Sequence, residues 1–452
     1  MTTALSEAQQ ANPTPVIAAQ PWGVGAQGIA LCLCCAYVVS QVYMVPIWTV
    51  GPSWSVWPSI TDFIVILMLL WLPFISREAR VTPTIASLQR CLLLLAGGCV
   101  LSYTLSTLDL FGLRTAEAFN DKGPYVGLYQ IYRVGQFLTV FWFAARLDLS
   151  AQRMVWLRRS IAFTFWVSCA LLLSNYFGLI DTPTLAPHIP KDLGVSGPWA
   201  FYARGTLPNP VGAISYHHAY PTVQLLILAA AYLSLRPARG VLIPTLILSC
   251  LWVCSLVGGS RAGFVSSCLF VIAIVVSRLR QLVVISVVVA VTVVTYFYFS
   301  ESFAAAFSRA VERQETITTS YDVDGFAGRV EIWNDRVALL NRNPVFWLAG
   351  TGFGSAIESG SNGHMLLLQT TLECGLLGTA VFLYCVWKVM LFLWRQGGRG
   401  RVLCYVMGAL LVSSVTQETF YPVPAFGHFC GMCLFCIASV LSLPVISRSL
   451  EA

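Results

Sequence analysis

The chain has 452 residues, of which 57% are hydrophobic and only 10% charged, and its mean hydropathy is +0.73. Ordinary globular domains carry about 25% charged residues, and a water-soluble body of this size cannot hide so many apolar side chains, so a cytosolic enzyme, a disordered scaffold and a secreted disulfide module are excluded. The net charge of +7 does not indicate nucleic acid, because the basic residues sit at the ends of apolar segments rather than in a dense stripe.

A bilayer core of about 30 Å takes about 20 apolar residues per helix. Read from the N-terminus, twelve segments qualify: 26–48, 59–76, 87–108, 125–145, 160–180, 214–235, 241–257, 262–278, 281–299, 364–394, 402–420 and 424–446. The chain reads as an all-α polytopic membrane protein with about twelve transmembrane helices. The first segment lacks a basic n-region and a small-residue cleavage site, so it is not expected to be a cleaved signal.

Loop charge sets the orientation. Basic residues follow the even-numbered segments: Arg77 and Arg80, then Arg146, Arg153, Arg158 and Arg159, then Arg236 and Arg239, Arg278 and Arg280, and Arg395, Arg399 and Arg401. Odd-numbered exits are mixed or acidic, as with Asp109, Glu117 and Asp121, or Glu418. Both termini are therefore expected in the cytoplasm. The organisation is a cytoplasmic tail (1–25), helices one to nine with an outer loop at 181–213 (26–299), a long outer loop (300–363), helices ten to twelve (364–446) and a short cytoplasmic tail (447–452). Long loops of this kind are usually functional or disordered. Within the second, Val330, Trp333, Val337 and Leu340 recur at helical spacing before Pro344, which predicts an amphipathic helix over 328–342.

Nearly all of the 15 cysteines lie in apolar stretches, which is not a disulfide framework. Cys430, Cys433 and Cys436 read as small apolar packing residues. Asp322-Val323-Asp324 falls on the outer face, away from nucleotide sugars, and no metal or cofactor is expected.

Ionisable groups inside spans are costly and usually have a reason. Arg133, flanked by Gln130, Tyr132 and Gln136, reads either as a ligand for an anionic group in an outward-opening cavity or as the structural partner of an acid such as Glu373 or Glu418. Arg261, in the short GGSRAGF turn at 258–264, is held where a lipid headgroup phosphate would lie, or snorkels to the interface. Arg329, Trp333 and Arg336 share one helix face. Gly350, Gly352 and Gly354 read as a turn returning the chain to the membrane. His364 stands at the mouth of the tenth span, where an imidazole could accept a proton from an attacking hydroxyl or serve as a structural histidine.

The order of Arg261 in its short turn, then Arg329, Trp333, Pro344, Gly-x-Gly, His364 and Glu373-x-Gly375, with ARGTLPNP at 203–210, resembles the O-antigen ligase and Wzy-type polysaccharide polymerase superfamily of bacterial envelope glycosyltransferases. The resemblance implies a GT-C-like inner-membrane enzyme working at the periplasmic face. It would transfer a glycan from undecaprenyl pyrophosphate to an acceptor hydroxyl, without cofactor or metal. It also implies that His364 is catalytic, that Arg261 and Arg329 bind pyrophosphate, with Arg133 and Arg204 as further matches, and that Arg336, Trp333, Glu373 and Glu418 support the site. Many ligases have Asn directly after the histidine, and Met365 stands there instead, which turns the reading toward an O-antigen or exopolysaccharide polymerase. The alternatives are a ligase acting on lipid A core or a protein and, from another class, a flippase or secondary transporter. Expected partners are the lipid-linked glycan, the acceptor glycan or lipid A core, membrane lipids, and flippase and chain-length regulator proteins.

Overall fold

A computed structural model describes residues 25–44, 47, 58–76, 81–113, 125–176, 179–180, 219–235, 242–258, 260–277, 308, 311, 315, 329–355, 363–416, 420–422 and 428–443. The described residues form α-helices and no strands. In chain order they are α1 (Ala26–Ser40), α2 (Ile60–Ser76), α3 (Pro83–Thr107), α4 (Tyr125–Arg146), α5 (Ala151–Tyr176), α6 (Ala219–Leu235), α7 (Leu242–Val257), α8 (Arg261–Ser277), α9 (Arg329–Asn341), α10 (Pro344–Ala349), α11 (Leu366–Arg395), α12 (Gly398–Ser413) and α13 (Phe429–Leu441). Each predicted apolar segment carries a helix except 281–299, which lies outside the described residues. Among the described residues, α3, α5 and α11 are long and apolar enough to cross a membrane, while six further apolar helices have 10–17 residues.

Local sequence explains several helix starts. Thr82 caps α3, its hydroxyl accepting from Ile85 N at 3.3 Å, with Pro83 in the first turn, where a missing N–H costs nothing. α9 ends at Asn341, ahead of Pro344 as expected, and Pro344 then starts α10, with the Asn343 side chain accepting from Val345 N at 3.0 Å. Asp62 in the first turn of α2 reaches back to Ser59, its Oδ2 accepting from both Ser59 N (2.6 Å) and Ser59 Oγ (2.8 Å).

The helices pack with polarity inverted relative to a soluble protein. Asp62, Gln130, Arg133, Gln369 and Glu373 are buried, while Leu70, Leu94, Leu101, Leu377 and Trp387 are exposed. Cross-helix contacts sort the two ends of the bundle. At one end Gln27 bonds Arg146 O and Asp148 N, Trp71 Nε1 donates to Ala26 O, and Gln396 Nε2 donates to Val440 O and Leu443 O. At the other, the N-terminal parts of α2, α4, α11 and α13 meet the C-terminal ends of α3 and α12. The buried charges gather at this second end.

The helix predicted over 328–342, within the second outer loop, is present as α9, but its inner face differs from the predicted one. Val330 and Val337 are each 37% exposed, and the buried members are Leu339 and Leu340, which pack with Phe346, Leu372 and Leu113. The reason is that α10 and α11 supply an apolar cradle on the side of Leu340, and Arg329, Trp333 and Arg336 lie along that half-buried side.

Candidate functional site

Two buried polar clusters occupy the second end, joined by a glycine-rich strand of chain. The first centres on Arg133. Its Nη1 donates to Asp62 Oδ1 at 2.7 Å and to Gln136 Oε1 at 3.2 Å and lies 2.6 Å from His428 Nε2, while Nη2 donates to Tyr129 Oη at 2.5 Å. Gln136 Nε2 donates to Asp62 Oδ1 at 2.7 Å and to Tyr132 Oη at 2.8 Å. His428 Nε2 also lies 3.4 Å from Asp62 Oδ1, so the ring touches both members of the ion pair. The edge-on rings of Tyr37 and Phe137 pack against the His428 ring. The Ser59 contact at the start of α2 therefore also places a carboxylate: Oδ2 holds Ser59 and Oδ1 is left for the guanidinium.

Arg133 is only 1% exposed. This corrects its reading as an anion ligand in an open cavity: the guanidinium is neutralised within the bundle. Among the described residues the acid paired with it is Asp62, whereas Glu373 belongs to a separate cluster. Asp62 and His428 escaped the sequence reading, although an Asp two residues into an apolar segment is itself the signal that singled out Arg133.

The second cluster centres on Glu373, which is fully buried. Its Oε2 accepts from Gly354 N at 2.8 Å and from the Tyr421 hydroxyl, and its Oε1 accepts from Gln369 Nε2 at 3.0 Å. Gln369 Oε1 in turn accepts from Gly363 N at 2.7 Å. Gly363 immediately precedes His364, whose backbone is left-handed at φ 46°.

Helix α11 is interrupted at Gly375 (φ 68°, ψ −176°), and the break releases the carbonyls of Leu372 and Glu373. The segment after α10 takes them up: Thr351 N bonds Leu372 O at 2.7 Å and Gly352 N bonds Glu373 O at 3.2 Å, while Ser102 Oγ on α3 adds a bond of 2.5 Å to Glu373 O. Gly350 (φ 80°, ψ −178°) faces this break, and a Cβ there would stand 2.4 Å from the Glu373 carbonyl carbon. The glycines at 352 and 354 approach Ser106 and Gly127 as closely. The predicted turn is thus a wedge between α3, α4 and α11.

Beneath the wedge lies a cavity of about 530 Å³. Its walls are apolar side chains of α3, α4, α11 and α13, among them Leu93, Leu101, Phe137, Leu377 and Leu434, and its few polar lining groups include Ser102, Thr370 and Tyr421 beside the Glu373 cluster.

Of the other predicted residues, His364 is half-buried next to Met365, the extended residue that precedes α11. Arg261 opens α8, which is tied to α12 by Ser266 Oγ donating to Ala409 O at 3.1 Å; the C-terminal end of α12 in turn accepts Leu366 N through Ser414 O at 2.9 Å. Arg261 and His364 therefore flank the same helix end. Arg329, Trp333 and Arg336 follow the inner face of α9. Arg204, Glu418, Asp322 and Asp324 lie outside the described residues. Among the described residues no group of three His, Cys, Asp or Glu side chains is arranged to hold a metal ion.

Comparison with protein families and with curated proteins returns no match.

Proposed function

We propose that the chain is a bacterial inner-membrane glycosyltransferase of about twelve spans with both termini in the cytoplasm. It moves a glycan from undecaprenyl pyrophosphate to an acceptor hydroxyl at the periplasmic face, as an O-antigen or exopolysaccharide polymerase. The observation that carries this reading is the apolar cavity whose lining includes Tyr421, the partner of Glu373 in the polar cluster that also takes in Gly363, the residue before His364. A lipid tail can lie among α3, α4 and α11 while its headgroup meets charged side chains at the bundle end.

In the reaction, the acceptor oxygen forms a bond to the sugar's anomeric carbon as the bond from that carbon to the phosphate oxygen breaks. The electron pair leaves with undecaprenyl pyrophosphate, and His364 takes the hydroxyl proton. Arg261 and Arg329 offset the charge building on the departing diphosphate. The inner face of α9, with Trp333 and Arg336, closes over the reacting groups.

The transporter reading draws on the buried Asp62–Arg133–His428 group, because ionisable residues within spans often mark ion pathways. That group sits near the N-termini of α2 and α13, whereas transporter sites lie near mid-bilayer. This position suits an anchor better than a moving site.

Deleting the gene and complementing it with wild type, His364→Ala or Arg261→Ala tests the proposal. Wild type is expected to restore long surface glycan and each variant, at equal protein level, to leave at most single repeats on the core. Lipid-linked polymer accumulating with a bare core identifies a ligase instead. Normal glycan from both variants removes these two residues from the mechanism.

A further inference from the structure

We infer that Gln369 and Glu373 form a directional hydrogen-bond relay that holds the Gly363–His364 peptide in its left-handed bend, making them positioning residues for His364. The inference rests on the proposed function only for what His364 does; the relay is defined by geometry. Both side chains are fully buried. They stand one helical turn apart on α11, which makes the two side chains neighbours on one face.

The direction of every bond in the relay is fixed. Gly363 N can only donate, so the Gln369 atom facing it must be Oε1. The Gln369 atom facing Glu373 is then Nε2, and it needs an acceptor, which Glu373 Oε1 provides. The second carboxylate oxygen receives two further donors, Gly354 N and the Tyr421 hydroxyl. The carboxylate therefore sets the orientation of the Gln369 amide, and that amide holds the residue before His364. A non-glycine residue at φ 46° is uncommon and persists only where its surroundings over-determine it. The relay supplies that constraint. Through Gly354 it also ties His364 to the glycine wedge above the cavity.

Reversal of polarity follows as a test. In Glu373→Gln the new amide can accept from Gly354 and Tyr421 only by turning its NH₂ toward Gln369. Gln369 must then flip, which puts its own NH₂ against Gly363 N–H and breaks that bond. Adding Gln369→Glu restores every contact with the middle bond reversed: residue 373 donates to residue 369, whose other oxygen again accepts from Gly363. Gln369→Leu removes the acceptor for Gly363 and leaves Glu373 with its other two donors.

The experiment is hydrogen–deuterium exchange of the full-length protein in nanodiscs, read at the peptide containing Gly363 and His364, with α5 peptides as a folding control. Exchange there is expected to rise about tenfold in Glu373→Gln and in Gln369→Leu and to return to the wild-type rate in Gln369→Glu/Glu373→Gln. Wild-type exchange in both single variants, or a double swap as fast as Glu373→Gln, overturns the relay. With lipid-linked glycan supplied, the single variants are expected to lower kcat with KM for the donor little changed, and the double swap to recover it. The exchange readout needs no substrate, so absence of transfer in wild type counts against the proposed function and not against the relay.

Discussion

Arg133→Leu is expected to lose about 3–5 kcal/mol of stability, because it leaves the Asp62 carboxylate buried without its counter-charge. The uncompensated carboxylate, rather than any single deleted hydrogen bond at about 0.5–1.5 kcal/mol, dominates that loss. Asp62 is 2% exposed, and water cannot replace the guanidinium without opening the bundle where α2, α4 and α13 meet. Asp62 still has its Ser59 contacts, which close the helix start but carry no full positive charge. Asp62→Asn combined with Arg133→Leu removes the stranded carboxylate as well and should recover more than half of the loss. Thermal unfolding of detergent-solubilised protein, followed by monodispersity on gel filtration, measures both. An Arg133→Leu protein melting with wild type would mean that the guanidinium does not anchor these helices.

Gly350→Ala should be nearly as damaging, and Gly397→Ala supplies its control. Both glycines are in the same unusual backbone region, φ 80° and ψ −178° against φ 83° and ψ −149°. That region costs other residues about 1–3 kcal/mol. At Gly397 a methyl group meets nothing within 4 Å, so backbone strain is the whole cost. At Gly350 it would stand 2.4–2.6 Å from the Glu373 and Cys374 backbone, which cannot move without disturbing the break in α11. Gly350→Ala is therefore expected to melt well below Gly397→Ala and to lose folded yield, and equal melting points would show that the wedge is not tightly packed.

The helices were legible because their signal is local: a run of apolar residues marks a helix whatever its neighbours, while the caps at Thr82, Ser59 and Asn343, which set the exact starts, were not read from the sequence. Arg133 was legible as an oddity for the same reason, since any charge inside an apolar run stands out. Its partner was not, because Asp62, Glu373 and Glu418 are all acids near the same expected face, and choosing among them requires knowing that α2 and not α11 sits beside that side of α4. His428 was hidden in the short turn before the last helix. The glycines at 350, 352 and 354 announced a turn, but their close approach to Glu373, Ser106 and Gly127 depends on a break at Gly375, which looks in sequence like an ordinary small residue in an apolar helix. On α9 the apolar periodicity of Val330 and Val337 misled, since a helix resting on other helices is oriented by the cradle it finds and not by its own stripe alone.

The account turns on chemistry at the His364 end of the bundle. Its most direct measurement uses purified protein in liposomes given an undecaprenyl-pyrophosphate-linked repeat unit, with glycan length and released undecaprenyl pyrophosphate read together. The account predicts a ladder of lengthening glycan with one undecaprenyl pyrophosphate released per bond formed, and neither from a folded His364→Ala protein. Equal release and equal ladders from wild type and His364→Ala, or a monodisperse wild type that forms no bond with glycan, lipid A core or protein acceptors, would contradict it.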